Sequence, residues 1–273
     1  MKGVVLAGGL GTRLLPMTRV TNKHLLPVYD RPMIYYPLQQ LVQADIGDIL
    51  VVTGGDHAGD FLKLLRNGQA FGLAHLRYAY QEGEGGIAEA LGLAEHFAAG
   101  EPFVVILGDN IFQDSLAEAI GDFRDDPRGA RILLKEVDDP RRFGVATVDG
   151  DHVLRIVEKP FQPETHLAVT GCYMYDDRVF DVIRSLEPSG RGELEITDVN
   201  NRYIEWGELR HHVLSGWWTD AGTVSSLHRA AGLVASDREN PVLAGRREGD
   251  VAGTRSPPVP GRTEGGTVEE RSP

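Results

Sequence analysis

Gly3-Val4-Val5-Leu6-Ala7-Gly8-Gly9-Leu10-Gly11-Thr12-Arg13 runs a short apolar strand straight into a glycine-rich loop that ends on a cation. Ten residues later, Asn22-Lys23-His24-Leu25-Leu26-Pro27 supplies a second cation. Glycines let backbone N–H groups close around phosphate oxygens, and Arg13 and Lys23 carry charge that backbone dipoles alone cannot offset. A loop of this kind at the mouth of a first strand suits a nucleoside triphosphate. The spacing Gly8-Gly9-x-Gly11 is not the dinucleotide fingerprint, and the Gly-Lys-Ser/Thr of a P-loop is absent. Alone the loop is a moderate signal, with a bland turn as the lesser reading; the two cations make that reading smaller still.

Working outward, strand-like runs alternate with helical stretches. Strands are expected at 3–7, 49–53, 76–80, 103–107, 131–135, 153–157 and 169–175, and helices at 33–44, 58–65, 87–97, 115–123, 178–186, 196–206 and 223–234. The first four strands are near-continuous Val, Ile and Leu separated by helices, the pattern of a parallel sheet covered on both faces. Later strands alternate more, and Gly150 marks a hairpin turn within 145–156. The fold class expected is α/β: a Rossmann-like, doubly wound, mainly parallel sheet with an antiparallel-containing insertion in the second half.

The chain of 273 residues can bury a substantial core without disulfides, and Cys172 is its only cysteine. A net charge of −12 argues against a nucleic-acid backbone as partner, though a local basic pocket can still hold a phosphate ligand. With no secretory signal and no membrane-length apolar run, a cytoplasmic location without membrane association is expected. From Asp237 the composition shifts to five prolines, several glycines and no aromatic residue. Too little apolar surface remains there to offset chain ordering. One domain is therefore expected over 1–235, with a nucleotide-binding half over about 1–110 and a sugar-phosphate half over about 111–235. A disordered tail is expected over 236–273.

Asp109, in Leu107-Gly108-Asp109-Asn110, closes a central strand, where open α/β sheets bind ligands. It either caps the following turn or offers a hard oxygen to Mg²⁺. Asp220, in Trp218-Thr219-Asp220-Ala221-Gly222-Thr223, is a second such carboxylate, with a helix N-cap as the competing reading for Asp220 or Thr223. Glu158-Lys159 ends a strand before Pro160. The two side chains reach one ligand only if the strand bends there, and otherwise they are solvated surface. Gln81, five residues before Gly86, can donate and accept at a pyrimidine edge. Trp217 and Trp218 line either a pocket or the core. The histidines show no ligand spacing.

Together these segments resemble the sugar-1-phosphate nucleotidylyltransferase family, and within it the short glucose-1-phosphate thymidylyltransferases. The resemblance covers about residues 1–235 and rests on 6–13, 23–38 (KHLLPVYDRPMIYYPL), 107–112 (LGDNIF), 157–160 (VEKP), 194–200 (LEITDVN) and 218–223 (WTDAGT). It implies that Leu6, Gly8, Gly9, Gly11, Thr12 and Arg13 surround the triphosphate and that Gln81 and Gly86 contact the base. It implies a sugar-phosphate side of Gly144, Glu158, Lys159, Thr170, Gly171 and Tyr173. Asp109 and Asp220 would hold Mg²⁺, with Arg13, Lys23, Asp109 and Lys159 as the catalytic set. The implied partners are dTTP and a sugar 1-phosphate, giving a dTDP-sugar and pyrophosphate. A homo-oligomer is compatible with this.

The chain departs from the family at His24, where Gln or Glu is usual, and at Phe143, where Tyr is common. It also lacks the helical C-terminal extension of longer forms, so feedback control and their tetramer are not expected. The same chemistry with UTP or another hexose 1-phosphate is the nearest alternative. A non-catalytic nucleotide-sugar sensor would be expected to lack a metal aspartate or a phosphate cation, and none is missing. A dinucleotide reductase fails on the loop spacing.

Overall fold

The computed structural model describes residues 1–244. β1 (Lys2–Ala7) leads through three single-turn 3₁₀ segments to a minimal hairpin, β2 (Pro27–Val28) and β3 (Arg31–Pro32). An alternating stretch follows: α1 (Tyr35–Gln43), β4 (Asp48–Gly54), α2 (Ala58–Leu65), β5 (His75–Gln81), α3 (Ile87–Gly92), α4 (Glu95–Ala98) and β6 (Phe103–Leu107). The second half brings β7 (Asn110–Phe112), α5 (Ala117–Asp125), β8 (Ala130–Glu136), β9 (Gly144–Asp149), β10 (His152–Glu158) and β11 (Leu167–Tyr175). It closes with α6 (Val179–Ser185), α7 (Ile196–Glu205), β12 (Leu209–Val213), β13 (Trp218–Asp220), α8 (Val224–Ser236) and α9 (Pro241–Ala244).

One nine-stranded sheet runs β5-β4-β1-β6-β11-β8-β12-β10-β9, and β9 pairs back onto β11. The strands β5, β4, β1 and β6 are parallel, as the apolar runs of β1, β4 and β6 predict; β5, at the edge, is His75-Leu76-Arg77-Tyr78-Ala79-Tyr80-Gln81 and half exposed. Val4 and Leu6 of β1 enter one core layer with Leu91, Val105 and Tyr175, whereas Val5 and Ala7 enter the other with Leu38, Phe61 and Ile106. Both faces are covered, so no polar alternation is allowed. β11 then runs antiparallel to β6 and β8, and β9–β10 is the expected hairpin around Gly150. The chain winds outward from β1 through β4 to β5, then returns to β6 on the other side of β1. The carboxyl ends of β1 and β6 therefore flank a switch point, where a crevice forms.

Three features differ from the sequence reading. The single helix expected over 87–97 is two, because the chain turns at Leu93–Ala94 just after Gly92, a poor helix former. Strands β7, β12 and β13 carry no readable alternation and exist through their partners: β12 on β8, and β13 on β7 with Asp220 opposite Asn110. The packed chain also runs past residue 235, where the tail was expected to start. Gln113 Nε2 donates to Asp237 Oδ2 at 2.8 Å, and Leu243 is buried against Val28, Met33 and Tyr36. The local run Pro241-Val242-Leu243 is an apolar anchor that composition averaged over the whole tail conceals. Residues 245–273 of the expected tail lie outside the described residues.

Candidate active site

A cavity of about 500 Å³ opens at the carboxyl ends of β1 and β6. Its floor is the glycine loop. A Cβ on Gly8 would stand 2.5 Å from Gln81 Oε1, and one on Gly9 would stand 3.4 Å from Lys23 Cε, so the missing side chains let both groups approach the backbone. Gly11 turns the loop at φ 68°, with Lys23 Cβ packed where its own Cβ would be. Leu6, Thr12 and Arg13 line the same wall, and Gln81 and Gly86 close the far end.

Asp109 sits just beyond β6, almost wholly buried. Lys23 Nζ lies 2.6 Å from its Oδ2, and Asn110 Nδ2 donates to its Oδ1 at 3.0 Å. Burial alone would raise this carboxyl, but Lys23, His24 and Asn110 outweigh it and hold the group well below the usual carboxylate range. Among the described residues no backbone N–H bonds its side chain, which removes the turn-cap reading. His24 is buried beside Gly108, and its pKa is lowered to about 3 by burial and then by Lys23. The ring is therefore neutral, with Nδ1 2.8 Å from Asn22 Oδ1.

Asp220 reaches the same place from β13. A Cβ built on Gly222 would lie 3.2 Å from an Arg13 guanidinium nitrogen, 3.4 Å from Asp220 Oδ2 and 3.5 Å from Asp109 Oδ2. Burial, and then the charge of Asp109, push the Asp220 carboxyl up, while Arg142 at 3.6 Å pulls it part of the way back. The helix-cap role expected for Asp220 or Thr223 belongs to Thr223, which forms a capping box with Ser226. Two carboxylates around one glycine, each disfavouring the other's charge, form a donor set that fits a hard divalent cation. Among the described residues no third His, Cys, Asp or Glu completes a metal cluster, so other ligands would have to come from substrate or water.

The opposite wall forms where β10 ends. Lys159 adopts φ 45°, and its N–H donates to Phe143 O at 3.0 Å. This left-handed bend is what lets consecutive side chains, Glu158 and Lys159, reach one cavity. Thr197 Oγ1 of α7 donates to Glu158 Oε2 at 2.8 Å, and Lys159 Nζ lies 3.2 Å from Glu158 Oε1. Gly144, Thr170, Gly171 and Tyr173 complete this wall. Asn110 Oδ1 accepts from Gly171 N at 2.9 Å and from Trp218 Nε1 at 2.7 Å. A Cβ at residue 171 would lie 2.5 Å from that amide.

All the site residues expected from the sequence line this cavity except Gly11, which supports Lys23 from outside it. Asn110, Arg142, Thr197 and Asn200 also line it without having been singled out. Thr197 and Asn200 stand three apart on α7, the spacing that puts two polar side chains on one helix face, and that signal was readable. Arg142 and Asn110 gave no local signal. Trp218 serves both readings: it is buried in the core and also faces the cavity.

The family model described as nucleotidyl transferase matches residues 2–237. The chain is 46% identical over 238 residues to glucose-1-phosphate thymidylyltransferase of Neisseria gonorrhoeae, covering 86% of this chain and 82% of that protein. It is 44% identical over 241 residues to the Xanthomonas campestris protein of the same name, covering 85% and 80%. A Bacillus anthracis crystal structure in complex with sucrose, assigned provisionally to the same activity, superposes with a TM-score of 0.82 at 52% identity. It covers 85% of this chain and 94% of that one. At 22% identity and a TM-score of 0.76, an apo UDP-glucose pyrophosphorylase shares the fold.

Proposed function

The chain belongs to the nucleotidyl transferase family, and from that footing we propose how its crevice joins dTTP to α-D-glucose 1-phosphate, giving dTDP-glucose and pyrophosphate. The observation that carries the reading is the convergence of Arg13, Lys23 and Lys159 with Asp109 and Asp220 on one cavity. Two polyanions must be brought together there, and nothing in the reaction requires a covalent nucleophile.

A phosphate oxygen of glucose 1-phosphate attacks the α-phosphorus of dTTP. One P–O bond forms as the bond to the bridging oxygen of pyrophosphate breaks in line. The attacking phosphate is already anionic at neutral pH, so the barrier is repulsion and alignment rather than proton removal. Lys159 positions the attacker, with Glu158 accepting from sugar hydroxyls. Arg13 and Lys23, with N–H groups of the glycine loop, hold the triphosphate and take up charge as pyrophosphate departs. Asp109 and Asp220 would hold Mg²⁺, which when bound neutralises phosphate charge. Lys23, 2.6 Å from Asp109 Oδ2, keeps that carboxylate ionised before substrate arrives. Both substrates carry several charges that a bilayer excludes, so they stay in the compartment that makes them, and we place the reaction in the cytoplasm. Among the described residues no helix is long and apolar enough to cross a membrane. The proposed domain holds the nucleotide on the parallel half and the sugar phosphate on the other.

A matrix of nucleoside triphosphates against sugar 1-phosphates, with Mg²⁺ present and pyrophosphate release measured, tests the assignment. The highest kcat/KM is expected for dTTP with glucose 1-phosphate. UTP should follow closely, since one methyl discriminates by only about 1–3 kcal/mol. A pair without a pyrimidine triphosphate giving the highest value would overturn the reading.

A further inference from the structure

The two ends of the Gln81 amide face different surroundings. Nε2 lies 3.2 Å from Gly86 O and 3.4 Å from Glu89 Oε1. A carbonyl and a carboxylate can only accept, so the NH₂ is forced toward them and Oε1 is turned away. Oε1 then sits beside the glycine loop, where a Cβ on Gly8 would come within 2.5 Å. No donor among the described residues reaches it, although Gln81 is buried. Facing the cavity, the oxygen is free to accept from a ligand that brings a donor there.

The Glu89 carboxylate lies against the loop above it, over Gly85. A Cβ on Gly85 would lie 1.2 Å from Glu89 Oε2, so only glycine leaves room for the carboxylate. Gly85 O in turn accepts from Leu194 N at 2.8 Å, which anchors the loop to the segment before α7.

We propose that Glu89 is a specificity-determining positioning residue: it locks the Gln81 amide with its oxygen toward the base, and so selects pyrimidines that carry N3–H. Thymine and uracil present that donor. Cytosine presents a bare acceptor at the same position and meets Oε1 lone pair to lone pair. The inference rests on the proposed placement of the base at Gln81 and names what fixes the polarity of that contact.

The test uses the full-length enzyme with glucose 1-phosphate and Mg²⁺, comparing kcat/KM for dTTP and dCTP. Glu89→Gln keeps the shape but can donate as well as accept, which leaves Gly86 O as the one remaining group that fixes the amide and so weakens the lock. The dTTP:dCTP ratio is expected to fall about tenfold, the worth of roughly one hydrogen bond, with the change carried mainly by KM. Gly85→Ala, which displaces the carboxylate without altering either partner, should move the ratio the same way. The unaltered enzyme supplies a reading free of folding effects. N3-methyl-dTTP, lacking the N–H, should lose at least about tenfold in kcat/KM relative to dTTP, and parity would overturn the proposal. Gln81→Ala separates the two layers. If it abolishes discrimination while Glu89→Gln leaves the ratio unchanged, the lock is wrong and the base site stands. If Gln81→Ala leaves the ratio unchanged, the base site itself is wrong.

Discussion

Asp109 and Asp220 meet in one crevice but come from regions built on different terms. Asp109 follows just after β6, a strand inside the parallel half with both faces buried, and Lys23 already answers its charge at 2.6 Å. Asp220 ends β13, a three-residue strand paired only with β7, and its nearest cation is Arg142 at 3.6 Å. One carboxyl is pulled below its ordinary range and the other pushed above it. Lys23 thus offsets the burial of Asp109, whereas the cations around Asp220 do not offset its burial and the charge of Asp109.

The largest test of this contrast is loss of either acid. Asp109→Asn and Asp220→Asn should each lower kcat/KM by about 10³-fold or more, by analogy with removal of a strong transition-state donor. Pyrophosphate release checks this, and a folded variant at near-normal rate would undo the shared-site reading. Next comes Lys159→Ala on the sugar-phosphate wall, which should remove about 3–4 kcal/mol of transition-state binding. An equal fall in kcat/KM for all sugar phosphates would place the lysine on the phosphate rather than the hexose. Thr197→Val should be milder, raising KM for glucose 1-phosphate by about tenfold as Glu158 loses its hydrogen bond.

The smallest effect has the sharpest sign. In metal-free protein the raised pKa of Asp220 contributes stability only below the ordinary aspartate value of about 3.9, and that contribution is lost as pH climbs through the raised value. At neutral pH the charged form therefore opposes folding, and Asp220→Asn should raise Tm, by about 2–4 °C for each kcal/mol relieved. Asp109 is the mirror case. Its stabilisation is present above the ordinary value and lost as pH falls through the lowered one, so Asp109→Asn should lower Tm at neutral pH. Thermal melts in chelator decide it, and shifts of the same sign would erase the distinction between the two regions.

The parallel half was legible because its information is local. Val4, Val51 and Val105 lie in strands buried on both faces, and Gly8–Arg13 and Asp109 follow those strands directly in sequence. The second half was legible only in pieces. The β9–β10 hairpin shows through Gly150, but β12 is a strand because β8 lies beside it, and Leu209-Arg210-His211-His212-Val213 alone does not announce that. The bend that aims Lys159 was inferred from Pro160, and the structure locates it in the lysine's own left-handed backbone. Arg142 and Asn110 escaped because each acts across the chain: on Asp220, and on Gly171 with Trp218. No window of neighbouring residues contains such pairs.

Asn110 carries a consequence for the order in which this protein becomes competent. Its amide takes N–H groups from residues 61 and 108 positions downstream while steadying Asp109 next door. A nascent chain that has emerged only through β7 carries Asp109 and Asn110, yet neither of the N–H groups that hold the Asn110 amide. Chemistry therefore waits for translation to deliver Trp218, and a polypeptide cut anywhere before that point should fold in part and turn over nothing.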